Sequence, residues 1–342
     1  MPATRLRGLA GLTAGIGLRQ RGVPVTVWEA GHYPRHRVCG EFISGRGQGT
    51  LARMGLRELV DQTGAIPAKT VAFFSPRASS AVREMAEPAV SISRFALDDL
   101  LAKEFRRLGG ELRENECWRG AEFSEGTLRA SGRRIQPVVN GWRWFGLKVH
   151  ARQVPLTADL EMHLGPAGYL GMCRLPDGEV NICGLFRRSA AAGDAPLQWK
   201  EIFRGEMGSP RHERLRGAEF DENSFCSVAG LSLEPHRASA FEECCVGDAI
   251  TMIPPVTGNG MSMAFESAEM AVGPLTDYSE GKISWTDSRQ KMARNCDAAF
   301  ARRLAWATRL QRLLFMPRLQ TALVLTLPRW QWVWRLLVEK TR

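Results

Sequence analysis

The chain has 342 residues, 44% of them hydrophobic and 24% charged, the balance of an ordinary folded protein rather than a disordered one. Its formal charge of +10 is carried by arginine, since only seven of the 46 basic residues are lysine. Such a charge suits nucleic acid, an anionic membrane surface or an anionic cofactor, and a genomic bias toward Arg would produce the same excess. The absence of any RNP, zinc-finger or basic-zipper pattern argues against nucleic acid. The eight cysteines (39, 117, 173, 183, 226, 244, 245 and 296) form no CxxC pair. No histidine completes a zinc spacing, so no metal is expected. Residues 1–20 lack the apolar core of a secretory leader. The thiols are therefore read as free ones in a reducing cytoplasm, most of them packed as small hydrophobes.

In chain order, small residues at helical spacing (Ala10, Ala14, Gly17) predict a helix over Leu9–Arg21 capped by Gly22. The β-branched run Val23–Glu29 predicts a strand ending in an acid. Residues 30–49 are rich in Gly, Pro, Arg and His and read as a loop, with a helix expected at about 50–62. Weak alternation predicts strands within 70–92. An apolar stripe of Leu97, Leu100, Leu101, Phe105 and Leu108 predicts an amphipathic helix stopped by Gly109-Gly110. From 144 to 186 short apolar runs separated by turns predict an antiparallel meander. Residues 195–240 are less legible. Glu243–Val246 then reads as a short buried strand, a helix starts near Gly260 and runs past Ala271, and 286–316 is helical.

The sharpest signal is Val246-Gly-Asp-Ala-Ile-Thr-Met-Ile-Pro-Pro-Val-Thr-Gly-Asn-Gly-Met261. It combines a strand, a turn bearing a carboxylate, a Pro-stiffened loop, and Gly-x-Gly opening a helix. Asp248 can accept hydrogen bonds from a polyol. Gly258 and Gly260 let backbone N–H groups approach a ligand at the positive helix end. The rival reading is a Gly-rich turn before an ordinary helix. Gly260-Met-Ser-Met-Ala264 loosely suggests a nucleophile elbow but lacks the strand that should precede it. At the other end of the chain, Gly8, Ala10 and Gly11 match the second half of a dinucleotide fingerprint, and Glu29 follows at the spacing of its ribose-binding acid. Leu6 holds the first glycine's place, and residues 1–5 are not a hydrophobic strand.

Together these motifs resemble the superfamily of FAD-dependent oxidoreductases that includes para-hydroxybenzoate hydroxylase, the geranylgeranyl reductases and the flavin-dependent halogenases. The resemblance implies that Gly247 and Asp248 hold the ribitol and phosphate region. It also implies that Pro255, Gly258, Asn259, Gly260 and Met261 lie against the flavin, and that Gly8, Gly11 and Glu29 hold the adenosine half. Pro34-Arg-His-Arg-Val-Cys-Gly40 resembles the loop that runs beside the flavin in the reductase and halogenase-like branch, which adds Arg37, Cys39 and Gly40. The competing reading is a solvated basic loop. An Arg before a helix such as Arg94 contacts the cofactor in these relatives.

The implied fold is α/β: a Rossmann-like FAD-binding domain with its first strand degenerate or missing, an inserted antiparallel β-sheet substrate domain, and a helical C-terminus. The corresponding boundaries are 1–68, 93–140 and 241–285 for the FAD domain, 69–92 and 141–240 for the substrate domain, and 286–342 for the C-terminal segment. The family's Ala-Asp-Gly segment looks deleted at Ile135–Arg143. The implied activity is reduction, dehydrogenation or monooxygenation, with NAD(P)H a transient electron donor because no second dinucleotide motif is present. The Cys39-Gly40 loop favours the reductase side. No catalytic acid or base is assigned. His150 and His163 are read as packed or surface residues and Lys148 as a strand-edge charge, with a substrate-facing role the alternative.

The basic, amphipathic stretch Arg302–Phe315, the apolar Leu319–Leu327 and the alternating Trp330, Trp332 and Trp334 fit either peripheral membrane contact or a helix packed on the FAD domain with Arg outside. Both readings suit a lipophilic substrate such as an isoprenoid, quinone precursor or polyketide. The rival from another class is a non-catalytic protein on the same scaffold that no longer holds FAD.

Overall fold

The computed structural model describes residues 8–118, 124–192 and 198–326. The chain opens on α1 (Gly8–Arg19), whose residues 8–18 are all buried, as expected of a helix apolar all round. It continues through β1 (Thr26–Glu29), β2 (Phe42–Ile43), α2 (Gly45–Arg53) and α3 (Arg57–Asp61) to β3 (Ile66–Ser75), β4 (Ala78–Ser79) and β5 (Arg83–Ser91). Helix α4 (Arg94–Arg107) is capped by Ser93, whose hydroxyl accepts from the Ala96 N–H. Then come β6 (Glu111–Glu114), β7 (Leu128–Arg129), β8 (Trp142–Arg152), β9 (Leu160–Gly165), β10 (Gly168–Arg174) and β11 (Val180–Ser189). The last part holds α5 (Trp199–Arg204), α6 (Pro210–Leu215), β12 (Glu219–Ala229), β13 (Cys244–Cys245), α7 (Gly260–Ser279), α8 (Trp285–Leu314) and α9 (Pro317–Thr326).

Two parallel pairs, β1 with β6 and β13 with β7, lie beside α1, α4 and α7. Parallel pairing with covering helices is the mark of an α/β layer. The expected degenerate first strand falls on residues 1–7, outside the described residues. The other strands form one nine-stranded sheet in the order β12-β8-β11-β10-β9-β3-β5-β2, with β4 added to β3. It is antiparallel except at β3–β9, where Val71 to Phe74 run alongside Leu160 to His163. One face of this sheet is apolar: Val149, Leu170, Met172 and Ile182 pack with Phe203 and Leu215 of α5 and α6. By strand alternation the other face carries Gly146, Lys148 and His150 of β8 opposite Leu185, Cys183 and Asn181 of β11.

Three expectations change. The loop read over 30–49 ends early, because α2 starts at Gly45 and runs to Arg53 while a separate α3 covers 57–61. Gly45, Gly47 and Gly49 hide this helix from propensity. Gly47 is needed for packing, since a Cβ there would lie 2.5 Å from Ser262 Oγ and 2.9 Å from Ile43. Lys148 is no strand-edge charge: β8 lies between β11 and β12, and the side chain is fully buried. The C-terminal helix does not keep every arginine outside either. Arg303 is 3% exposed and pairs bidentately with Glu266 of α7 at 2.7 and 2.9 Å. Trp330, Trp332 and Trp334 lie outside the described residues. Among the described residues, no helix is long and apolar enough to cross a membrane.

Helices α1 and α7 cross closely at Gly17, where an added Cβ would sit 2.6 Å from Val272 Cγ2 and 2.9 Å from Met54 Cε. Gly17→Ala should therefore lower stability: overpacking costs about 1–3 kcal/mol, more than the ~1 kcal/mol that alanine adds to a helix. A lowered thermal midpoint would show it, and a raised one would mean that α7 gives way.

Candidate functional site

Between the α/β layer and the bare face of the large sheet lies a cavity of about 800 Å³. All the residues assigned to the cofactor from sequence line it except Gly11 and Asn259. Gly11 is buried in the first turn of α1. Asn259 is fully buried and accepts a 2.9 Å hydrogen bond from Ser44, which also bonds Ser262 at 2.7 Å. Asn259 thus pins the start of α2 to the start of α7.

One wall is the N-terminus of α1, where Gly8 has a φ of +60° and donates to Glu29 Oε2 at 3.3 Å and Tyr33 Oη at 3.2 Å. Glu29 is buried at the end of β1 and also accepts from Tyr33, Gly31, Arg35 (2.5 Å) and Arg37 (3.2 Å). Burial alone would raise its carboxyl, but Arg37 and Arg35 with the N–H and O–H donors outweigh it and hold the group below the usual carboxylate range. The acid expected to meet ribose hydroxyls is thus satisfied from within the chain. It fixes two guanidinium groups, each about 30% exposed, at the cavity edge. Arg37 also lies 3.4 Å from Asp98, which grips Arg94 through two 2.8 Å bonds. Cys39 packs beside them, and burial pushes its thiol up, so it is no ready thiolate.

The wall continues through the 246–261 segment, next to α1. Gly247 (φ +60°) approaches α1 so closely that a Cβ would meet Ala10 at 3.0 Å. Its N–H donates to Ser267. Asp248 follows on the cavity wall. Burial pushes its carboxyl up to about 6, against the pull of Arg94 and Arg133. Gly258 is left-handed (φ +64°), and a Cβ there would lie 3.2 Å from the Phe42 ring, whereas Gly260 at the head of α7 has nothing within 4 Å of a Cβ. The loop is tied down through Val256 N–H, which donates to Tyr169 Oη at 2.9 Å. That hydroxyl in turn donates to Gln311 of α8 at 3.1 Å. Leu310 and Leu314 of α8 and Leu323 and Val324 of α9 complete an apolar side with Leu164 and Leu185.

Sequence reading missed a polar cluster on the sheet side. Glu41 and His36 line the cavity. His150 Nε2 meets Glu41 Oε2 at 2.7 Å, and Lys148 Nζ meets His36 Nδ1 at 3.1 Å. The available signal was the strand period, which puts Lys148 and His150 on one face, together with the place of Glu41 directly after Cys39-Gly40. His163 lies elsewhere, stacked on Phe74 and bonded to Glu161.

No protein-family model matches the sequence. Among curated proteins, Conditioned medium factor receptor 1 of Dictyostelium discoideum is 29% identical over 137 residues. That match covers 36% of this chain and about a quarter (27%) of the relative's length. Solved structures match over nearly the whole chain. A geranylgeranyl bacteriochlorophyll reductase-like protein from Thermoplasma acidophilum superposes with a TM-score of 0.73 at 17% identity, covering 99% of this chain and 95% of its own. PqsL of Pseudomonas aeruginosa, described as a probable FAD-dependent monooxygenase, gives 0.69 at 14% identity over 94% and 98% of the two chains. The flavin-dependent brominase Bmp2 gives 0.68 at 15% over 98% and 93%. The architecture and these superpositions together show that the chain carries the fold that these three solved proteins share.

Proposed function

We propose that the protein is an FAD-dependent oxidoreductase acting on a lipophilic small molecule. The observation that carries this reading is the convergence of three features on one cavity: the N-terminus of α1 beside Arg35 and Arg37, the Asp248 carboxylate, whose acidity is weakened by burial, and the Gly258–Met261 turn at the head of α7. These fit FAD part by part. A helix N-terminus with guanidinium groups suits a diphosphate. A half-buried carboxylate raised by desolvation suits hydroxyl donors such as those of a ribityl chain. The backbone at Gly260, with open space where a Cβ would lie, suits the polar edge of a flavin. Glu29 then acts by orienting Arg35 and Arg37.

When bound, FAD would supply hydride and electron transfer, and the chain supplies binding, orientation and exclusion of water. A nicotinamide donor that visits transiently accords with the single dinucleotide motif. The apolar side formed by Leu164, Leu185, Leu310, Leu314, Leu323 and Val324 supports an isoprenoid, quinone-precursor or polyketide-like substrate. The Cys39-Gly40 loop favours reduction or dehydrogenation over oxygenation. Exposed Leu313 of α8, Met316 in the link and Leu319 and Leu325 of α9, with Arg309, Arg312 and Arg318 close by, support peripheral contact with an anionic membrane surface.

A second reading, a protein on this scaffold that holds no FAD, draws on Glu29, whose carboxylate is already fully occupied. The visible spectrum after incubation with FAD and gel filtration separates the two. A retained flavin band is expected; a folded protein that stays colourless overturns the enzyme reading.

A further inference from the structure

Inside the large sheet, four ionisable side chains form a buried cluster reaching from the cavity to the surface. Glu41 is fully buried yet contributes to the cavity wall. Its backbone is left-handed, with φ at +56°, which turns the side chain back beneath the Cys39-Gly40 loop. Oε1 accepts from the Arg94 N–H at 2.9 Å and lies 3.6 Å from Lys148 Nζ. Oε2 meets His150 Nε2 at 2.7 Å. The far nitrogen of His150, Nδ1, lies 3.4 Å from Glu179 Oε2, and Glu179 is 31% exposed on the outer surface. His150 is itself fixed: its N–H donates to Ser224 at 2.7 Å, and its ring meets that of His36 edge-on at 5.2 Å. Burying a lysine and a glutamate with histidines beside them is costly, and clusters of this kind gather at functional sites.

We propose that Glu179, His150 and Glu41 form a proton relay between solvent and the cavity, with Lys148 balancing the charge of Glu41. The transfer is a shift of one proton through two links. Glu41 exchanges a proton with a group in the cavity through one carboxylate oxygen and with His150 Nε2 through the other. His150 exchanges through Nδ1 with Glu179, or with water beside it, so each acceptor gains what its neighbour releases and the chain returns to its starting charge. Lys148 donates to His36 Nδ1 at 3.1 Å, which requires that nitrogen to be unprotonated. Burial, then Lys148 and His150, hold His36 down to about 4, while Glu41 and Asp221 pull it upward. His36 is therefore neutral at physiological pH and stays outside the relay as a hydrogen-bond partner. Reduction of a double bond and oxygenation both need a proton at the reacting centre, so the relay serves either chemistry.

The relay rests on the flavin reading, and its test separates the two. FAD-loaded protein, reduced anaerobically, is mixed with ferricyanide in weakly buffered solution containing phenol red. Ferricyanide takes electrons only: two leave the reduced flavin anion, two ferricyanides become ferrocyanide, and one proton must reach the bulk. In the wild type the dye should follow flavin oxidation. In His150→Gln, which keeps both buried charges, and in Glu41→Gln, proton appearance should lag by about 10-fold or more, with Glu41→Asp restoring part of the rate. Release that is equally fast in FAD-loaded His150→Gln overturns the relay. If the wild type takes up no FAD, the flavin reading fails, and ¹⁵N-histidine spectra of the apo protein then decide. His150 Nε2 signals that move on Glu41→Gln sustain the link from His150 to Glu41, and signals that do not move overturn it.

Discussion

Asp248→Asn is expected to weaken FAD binding about 10- to 100-fold while raising the stability of the apo protein. The first effect follows from the loss of a charged acceptor, since a hydrogen bond to an ionised group contributes about 1.5–3 kcal/mol, and each 1.4 kcal/mol is a factor of ten in affinity. The second follows from the carboxyl's elevation from 3.8 to about 6, caused first by burial. An acid whose folded-state value exceeds its unfolded one binds more protons when folded between those two values. Stability therefore falls as pH rises from about 4 to 6, and the cost stays in full above that window. Because the group still faces the cavity, its cost at pH 7 is discounted to roughly 1–3 kcal/mol. Asn carries no such penalty, so the variant's apo melting curve should flatten over that pH range. Ligand hydroxyls that donate to the carboxylate favour its ionised form, so wild-type affinity should fall as pH drops below 6. Isothermal titration from pH 5 to 8, beside apo melts of both proteins, checks the pair of effects. An unchanged affinity in the variant would remove Asp248 from the site.

Arg303→Met should cost about 3–5 kcal/mol, because it leaves Glu266 buried without its counter-charge. The two side chains are 3% and 8% exposed and meet through paired bonds of 2.7 and 2.9 Å. They join the middle of α8 to the helix that carries the Gly258–Met261 turn. The double variant Arg303→Met/Glu266→Met should recover most of the loss, since a packed apolar pair often replaces a buried ion pair without cost. Urea unfolding midpoints of the wild type, Arg303→Met, Glu266→Met and the double variant give the coupling directly. Equal losses in the single and double variants would show that the arginine acts through packing alone.

Much of the α/β layer was legible because its signals are local. Gly22 closes α1, Gly109-Gly110 closes α4, and the Gly247–Gly260 turn has its own grammar. The meander from β9 to β11 was legible from turns of two and five residues. Less visible was anything set by contacts distant in sequence. Helix α2 has glycine at 47 because α7 approaches so closely there, and a single chain carries no mark of that neighbour. Lys148 and His150 read as ordinary strand polars until the sheet order puts β8 in the interior. Glu29 was read as a ligand acid from its spacing, yet whether Arg35 and Arg37 fold back onto it is a matter of three-dimensional proximity.

The lone parallel joint in the large sheet has a consequence for biosynthesis. Strand β3 must wait for β9, and the first paired residues, Val71 and Leu160, are separated by 160 − 71 = 89 positions. At translation speeds of roughly 5–20 residues per second this delay is on the order of ten seconds. During it the β3–β5 hairpin presents an unpaired edge that includes Val71, Ala72 and Phe73. Long-range pairing of this kind is slow, so this strand edge stays open on the nascent chain until β9 has been made.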